Sequence, residues 1–161
     1  MFIFSINDRM RPALRNFLAY PTKFTALTKG IRPPQVASVQ TDGSFNPANY
    51  CIARTVVILN TVKNEEFTRC TTYLEFENSY ESEWRSIFDG LELSIIKDQY
   101  AIELENDCLG VVNGIIKKPK VMKSLYKDYY ISIHQLIREM EYVGIRWIPR
   151  EMNKADELFR V

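Results

Sequence analysis

Cysteine and histidine are scarce in this sequence of 161 residues, with three of the first and one of the second. Cys51, Cys70 and Cys108 are odd in number and far apart, without a C-x-x-C pair, which argues against a disulfide framework and a thiolate zinc site. The single histidine, His134, falls inside an amphipathic helical pattern and reads as a structural or surface residue. No apolar run approaches the roughly 18 residues that a membrane-spanning helix needs. The opening Met1 to Ile6 is apolar, but Asp8 and Arg9 follow at once, leaving it shorter than a secretory core of about 7 to 15 residues. The expectation is a cytoplasmic protein with reduced thiols and no membrane partner. Surplus charge is missing too, the net being +1.

That near-neutral total hides a division. Arg9, Arg11, Arg15, Lys23, Lys29 and Arg32 against Asp8 alone give residues 1–35 a charge of +5, so the remainder carries −4. A basic arm on an acidic body is one signature of a nucleic-acid partner, although basic surface helices are common without one. The length suits one domain, and 46% hydrophobic with 25% charged residues is ordinary globular composition. The expected organisation is a basic N-terminal extension over 1–35 and a folded domain over 36–161, with Gly30 and Pro33-Pro34 as the junction.

Residues 9–29 carry scattered apolar positions broken by Pro21 and read as one or two short helices. From Val36 the pattern turns to strands: 36–40, 52–59 and about 67–76, with Asn46-Pro47 and Asn64-Glu65 as turns. Trp84, Ile87, Phe88, Leu91 and Ile95 then mark a helix over 79–97 with Asn78 as its N-cap. A strand over 100–105, a short helix over 108–116, a longer helix through Leu125, Tyr129, Ile133 and Met140, a strand over 143–148 and a last helix from Asn153 complete the order βββ-α-β-α-α-β-α. This predicts an α/β fold whose mixed sheet has three antiparallel strands followed by two parallel ones reached by crossovers.

Chemistry in such a sheet gathers where strand ends and helix starts converge, and four acids fall there. Asp42 lies in Thr41-Asp42-Gly43-Ser44, Glu83 in the first turns of the long helix, Asp107 after the fourth strand, and Asp156 at the opening of the last helix. Each alone has an ordinary explanation: a turn, a solvated helix face, or a cap. Helical spacing puts Glu83 about 100° from the centre of the apolar stripe, at the margin of the buried face.

Taken in order, T-D-G-S, Glu83 ahead of Asp89-Gly90-Leu91-Glu92-Leu93, Asn106-Asp107-Cys108, and W-I-P-R-E-x-N-x-A-D-E-L from Trp147 resemble the signature of type 1 ribonuclease H. The closing string is similar to the subgroup that reads W-V-P-R-E-x-N-x-x-A-D-x-L and has no catalytic histidine. The resemblance runs from about Val36 to the C-terminus. It implies a ribonuclease H-like five-stranded mixed sheet flanked by helices, with Asp42, Glu83, Asp107 and Asp156 as catalytic acids and metal ligands. The implied activity is endonucleolytic cleavage of the RNA strand of an RNA/DNA hybrid, leaving a 5′-phosphate and a 3′-hydroxyl. Oxygen-only ligands suit two Mg²⁺ ions, with Mn²⁺ as substitute. Gly43, Ser44, Asn46, Asn78, Ser79, Arg150 and Asn153 are the residues expected to contact substrate. A nuclease of the same fold acting on duplex RNA or branched DNA, and a non-catalytic nucleic-acid-binding module, are the alternatives.

The sequence departs from the family at several places. The loop before the last acid, Pro149-Arg150-Glu151-Met152, holds no histidine, and Asn78-Ser79-Tyr80 replaces the family's Thr-Asn-Asn. Ala48-Asn49-Tyr50-Cys51-Ile52 stands where a glycine-rich segment is usual. The basic protrusion of some members is reduced to Lys117, Lys118, Lys120, Lys123 and Lys127, which either supply positive charge to substrate or solvate a helix.

Overall fold

In ten successive residues, Ala37–Asn46, apolar or small side chains alternate with polar ones: Ala37, Val39 and Thr41 are buried while Ser38 is exposed and Gln40 half-buried. That period of two builds the central strand β2 of a six-stranded sheet. The structure is a computed structural model and describes residues 23–160. β3 (Ile52–Asn60) pairs antiparallel with β2, and β4 (Glu66–Tyr73) antiparallel with β3. β5 (Ala101–Asn106) and β6 (Tyr142–Trp147) add on the other side of β2 as parallel neighbours. With β1 (Thr25–Ala26) at the edge, the order is β1-β6-β5-β2-β3-β4.

α1 (Ser79–Ile96) crosses this sheet. Asn78 caps it, its Oδ1 accepting from the Glu81 N–H at 2.8 Å. Trp84, Ile87 and Leu91 face inward and are almost wholly buried; each such side chain contributes about 1.5–3 kcal/mol. The helix comes close enough to β2 that a Cβ on Gly90 would lie 2.7 Å from the Thr41 methyl. α2 (Leu109–Ile116) and α3 (Ser124–Arg138) complete the same core with Val111, Ile115, Ile133 and Ile137. His134 is structural in fact: its Nε2 is 3.0 Å from the Ile115 carbonyl and its ring leans on Tyr130. α4 (Lys154–Glu157) lies over Val56 and Ile58, on a second, smaller apolar cluster with Ala155 and Phe159.

The ribonuclease H-like arrangement of three antiparallel strands, then two parallel ones, is present. It has one strand more than the five expected. The addition is β1, in a region read as helix, where Thr25 pairs with Ile145 and Ala26 with Gly144. Two residues show no period, and the edge of β6 supplies the partners that local pattern cannot reveal: Leu27 N–H donates to the Val143 carbonyl at 2.8 Å. None of residues 23–29 is helical, and the rest of that reading, residues 9–22, lies outside the described residues. Arg32 grips Glu103 of β5 with two hydrogen bonds of 3.0 and 3.1 Å, so residues 23–32 lie against the sheet.

β2 also runs past Gln40 to Asn46, which makes Asp42 an interior strand residue. The full ladder to β3, ending in Asn46 opposite Ile52, overrides the turn signal of Asp42-Gly43. β4 stops at Tyr73, short of Phe76, and Glu75 beyond it takes a left-handed φ of 61°. Among the described residues no helix is long and apolar enough to cross a membrane.

Candidate active site

β2 and β5 are adjacent and parallel, with Thr41 opposite Asn106, so the residues that follow each, Asp42 and Asp107, emerge side by side. Parallel neighbours lie about 4.8 Å apart, close enough for two side chains on the same face to reach one ligand. Glu83 arrives from α1. Its helix approaches β2 at Gly43, where a Cβ would lie 2.7 Å from Ser82 Oγ and closer still to the Ser82 carbonyl. That contact leaves room for glycine only, and it lets the Gly43 N–H donate to Glu83 Oε1. Each of Asp42, Glu83 and Asp107 offers an oxygen within 4.8 Å of the other two.

Asp156 comes from the far end of the chain and is brought in by Asn153. The Asn153 Nδ2 donates to the Thr41 carbonyl at 2.9 Å and to Asp107 Oδ2 at 3.2 Å, while its Oδ1 accepts from Ala155 N–H at 3.1 Å and caps α4. Asp156 then lies beside Asp42 in the same cleft and is ion-paired with Arg150 Nε at 3.2 Å. The four acids open on a cleft of about 350 Å³, completed by Gly43, Ser44, Ser79, Arg150 and Phe159.

The electrostatics follow from burial. Desolvation first, then the charge of Asp107 and the Asp156 contact, pushes the Asp42 carboxyl up to about 7. Desolvation, then Asp42 and Asp107, raises Glu83 well above the usual carboxylate range. Asp107 is raised mainly by desolvation, although the Asn153 hydrogen bond and Arg150 act the other way. Anionic groups so close cannot all ionise without a counter-charge. Arg150 offers some, from the rim and two-thirds exposed. Among the described residues the grouped ligand atoms are carboxylate oxygens of Asp42, Glu83 and Asp107, and an all-oxygen set fits hard divalent cations such as Mg²⁺ or Mn²⁺.

The remaining residues expected to touch substrate divide into two groups. Gly43, Ser44, Ser79 and Arg150 line the cleft. Asn46 stands at the exposed end of β2 with its Oδ1 accepting from Ala48 N–H at 3.0 Å. Asn78 uses its side chain on the helix cap and on Tyr126, whose hydroxyl accepts from Nδ2 at 2.8 Å. Asn153 is buried and also spends its amide on the protein. The lysines at 117, 118, 120, 123 and 127 are all exposed, and the Tyr126–Asn78 bond ties their segment to the end of α1 where Ser79 meets the cleft.

Two supports were invisible in the sequence. Buried Asn106 donates to the Thr41 carbonyl and Oγ1 at 3.1 and 3.0 Å and accepts from Cys108 N–H at 2.7 Å, locking the turn that holds Asp107. Asp89, fully buried, accepts from Thr55 Oγ1 at 2.6 Å, Tyr73 hydroxyl at 2.7 Å and Arg85 Nε at 3.0 Å, pinning α1 to β3 and β4. Asp89 lies about 140° from the Trp84–Leu91 stripe on the helical wheel, so only the sheet packed on that side of α1 reveals its burial.

Similar structures share the fold at low sequence identity. Ribonuclease H1 of the halophilic archaeon Halobacterium salinarum superposes with a TM-score of 0.68 at 15% identity over 76% of this chain and 92% of that one. LC11-RNase H1, crystallised in complex with an RNA/DNA hybrid, gives 0.65 at 22% identity over 76% and 92%. The N-terminal RNase H domain of a Mycobacterium tuberculosis protein gives 0.63 at 18% over 77% and 90%. No curated protein sequence matches the chain. The family described as reverse transcriptase-like matches residues 40–158, well over half of the sequence. With that match and a ribonuclease H-like fold, the chain belongs to the reverse transcriptase-like family.

Proposed function

We propose that this protein is a metal-dependent endonuclease that cuts the RNA strand of RNA/DNA hybrids, leaving a 5′-phosphate and a 3′-hydroxyl. The observation that carries the reading is the convergence of Asp42, Glu83 and Asp107 within 4.8 Å, beside Asp156, in an open cleft. A binding module has no physical reason to bury mutually repelling carboxylates. The LC11 relative is a hybrid-bound protein of the same fold, which favours hybrid as the substrate here.

Asp42, Glu83, Asp107 and Asp156 would hold two Mg²⁺ ions, or Mn²⁺ in their place, which would supply Lewis-acid activation of water and stabilisation of the leaving oxygen. The chain's own groups prepare the site. Asn153 orients Asp107, the Gly43 N–H orients Glu83, and the rim guanidinium of Arg150 offers a charge-assisted hydrogen bond to a phosphate. Ser44 and Ser79 present hydroxyls at the mouth, and Asn46, exposed two residues beyond Ser44, is placed for sugar or phosphate contact. The exposed lysines between α2 and α3 add positive charge on the Ser79 side. Residues 36–161 carry the catalysis, and the basic extension contributes sequence-independent attraction to the nucleic-acid backbone.

Labelled hybrid, duplex RNA and duplex DNA incubated with Mg²⁺ or Mn²⁺ test the proposal. The expected result is cutting of the hybrid's RNA strand alone, with no cutting in EDTA. Cleavage confined to duplex RNA or DNA, or none in any metal, overturns it.

A further inference from the structure

A row of paired side chains crosses the sheet on the face away from α1 and ends on the segment that carries Asp156. Val39 and Thr41 lie under Gly90 of α1, so alternation places Gln40 on the opposite face, two residues before Asp42. The cross-strand partner of Gln40 is Glu105 of β5, and that of Glu105 is Arg146 of β6. The side chains follow this register. Arg146 Nε donates to Glu105 Oε2 at 2.8 Å, Gln40 Nε2 donates to Glu105 Oε1 at 3.0 Å, and the Arg146 guanidinium lies 4.3 Å over the Phe24 ring.

At the other end of the row, Gln40 Oε1 accepts from the backbone N–H of Lys154 at 3.0 Å, and Nε2 lies 3.5 Å from the Met152 carbonyl. Lys154 is the first residue of α4, so its N–H has no partner within the helix. A carboxamide carries one acceptor and one donor group side by side, as a peptide edge does, and Gln40 uses both. Glu105 decides which way round the amide sits: a carboxylate against Nε2 leaves Oε1 for Lys154. Arg146 in turn orients that carboxylate.

We propose that Gln40 is a positioning residue that fixes where α4 begins on β2, and through it where Asp156 enters the acidic cleft, with the Glu105–Arg146 pair setting its orientation. Asn153 anchors the same segment at Thr41 and Asp107, whereas Gln40 anchors it one residue later at Lys154, so the two act on different backbone groups. The consequence for cleavage rests on the function proposed above; the consequence for metal affinity does not need hybrid as substrate.

Gln40→Met keeps the length and removes the hydrogen bonds to Glu105, Lys154 and Met152. Gln40→Glu keeps an acceptor but sets two carboxylates face to face, and Gln40→Glu with Glu105→Gln restores a donor–acceptor pair with the roles exchanged. Each is read by Mn²⁺ titration calorimetry, by exchange of the Lys154 amide, and by kcat and KM on hybrid, with Ser38→Ala as a control on the same strand. The expected result for the two single variants is Mn²⁺ affinity down by about fivefold or more, Lys154 exchange faster, and kcat down by about tenfold at similar KM. The double variant is expected to recover most of each loss. Gln40→Met with Mn²⁺ affinity and kcat within twofold of wild type overturns the proposal. A wild type that binds Mn²⁺ but leaves hybrid intact overturns the substrate reading alone, and calorimetry of the variants still decides the role of Gln40. A wild type that binds no Mn²⁺ overturns both.

Discussion

Gly43 of β2 and Ser82 of α1 touch so closely that no side chain fits between them, a Cβ on Gly43 falling 2.7 Å from Ser82 Oγ. This contact sets the distance between the strand that bears Asp42 and the helix that bears Glu83. Gly43→Ala is therefore expected to push α1 outward, costing about 1–3 kcal/mol of stability and weakening Mn²⁺ binding. Denaturant melts with Mn²⁺ calorimetry check it; unchanged metal affinity would show that the acids tolerate a displaced helix.

Asp42 lies within 4.8 Å of both Glu83 and Asp107 through its carboxylate oxygen, and Asp42→Asn removes a charge while keeping shape. Cleavage is expected to fall by a factor of about 10³ or more. The metal-free variant should be at least as stable as wild type, since a repelling charge is gone. A large loss of metal-free stability would show that the carboxylate serves the fold.

The raised Asp42 carboxyl predicts an unusual pH dependence in EDTA. In the folded chain it keeps its proton up to about pH 7, whereas an unfolded aspartate releases it near 3.8. Between those values the folded state binds more protons, so this contribution is full below about pH 4 and is lost as pH rises through 7. Glu83 and Asp107, also raised, act in the same direction. The stability difference between wild type and Asp42→Asn should thus move against wild type from pH 4 to 8, and Mn²⁺ should flatten it. A difference that grows in favour of wild type contradicts the electrostatic picture.

Asp89 provides the contrast of an acid with three donors and no place in the cleft. Asp89→Ala leaves the Thr55 and Tyr73 hydroxyls and the Arg85 guanidinium without their acceptor. It is expected to cost about 3–5 kcal/mol, read as a lower denaturation midpoint. Mn²⁺ affinity of the folded fraction should stay the same.

Removal of residues 1–22 takes away Arg9, Arg11 and Arg15 but keeps β1 and Arg32 on the sheet. Hybrid affinity is expected to fall, with a shallower dependence on salt as fewer counterions are released. An unaltered salt slope would exclude the extension from substrate contact.

The order of elements, the antiparallel and then parallel halves of the sheet, and the helix carrying Trp84, Ile87 and Leu91 could be read from residue order, because periods of two and 3.6 are local properties. The four acids were legible only as an ordered set of strings, since each alone passes for a turn or a cap. Tertiary structure decided the rest. The β2–β3 ladder drew Asp42 into a strand, the edge of β6 made a strand of Thr25 and Ala26, and Asn153 was set against the Thr41 carbonyl and Asp107. Those outcomes depend on partners from 14 residues away, as Val56 is from Asp42, to more than 100, as Ile145 is from Thr25, and a side chain's burial and last hydrogen bond belong to whatever the fold sets beside it.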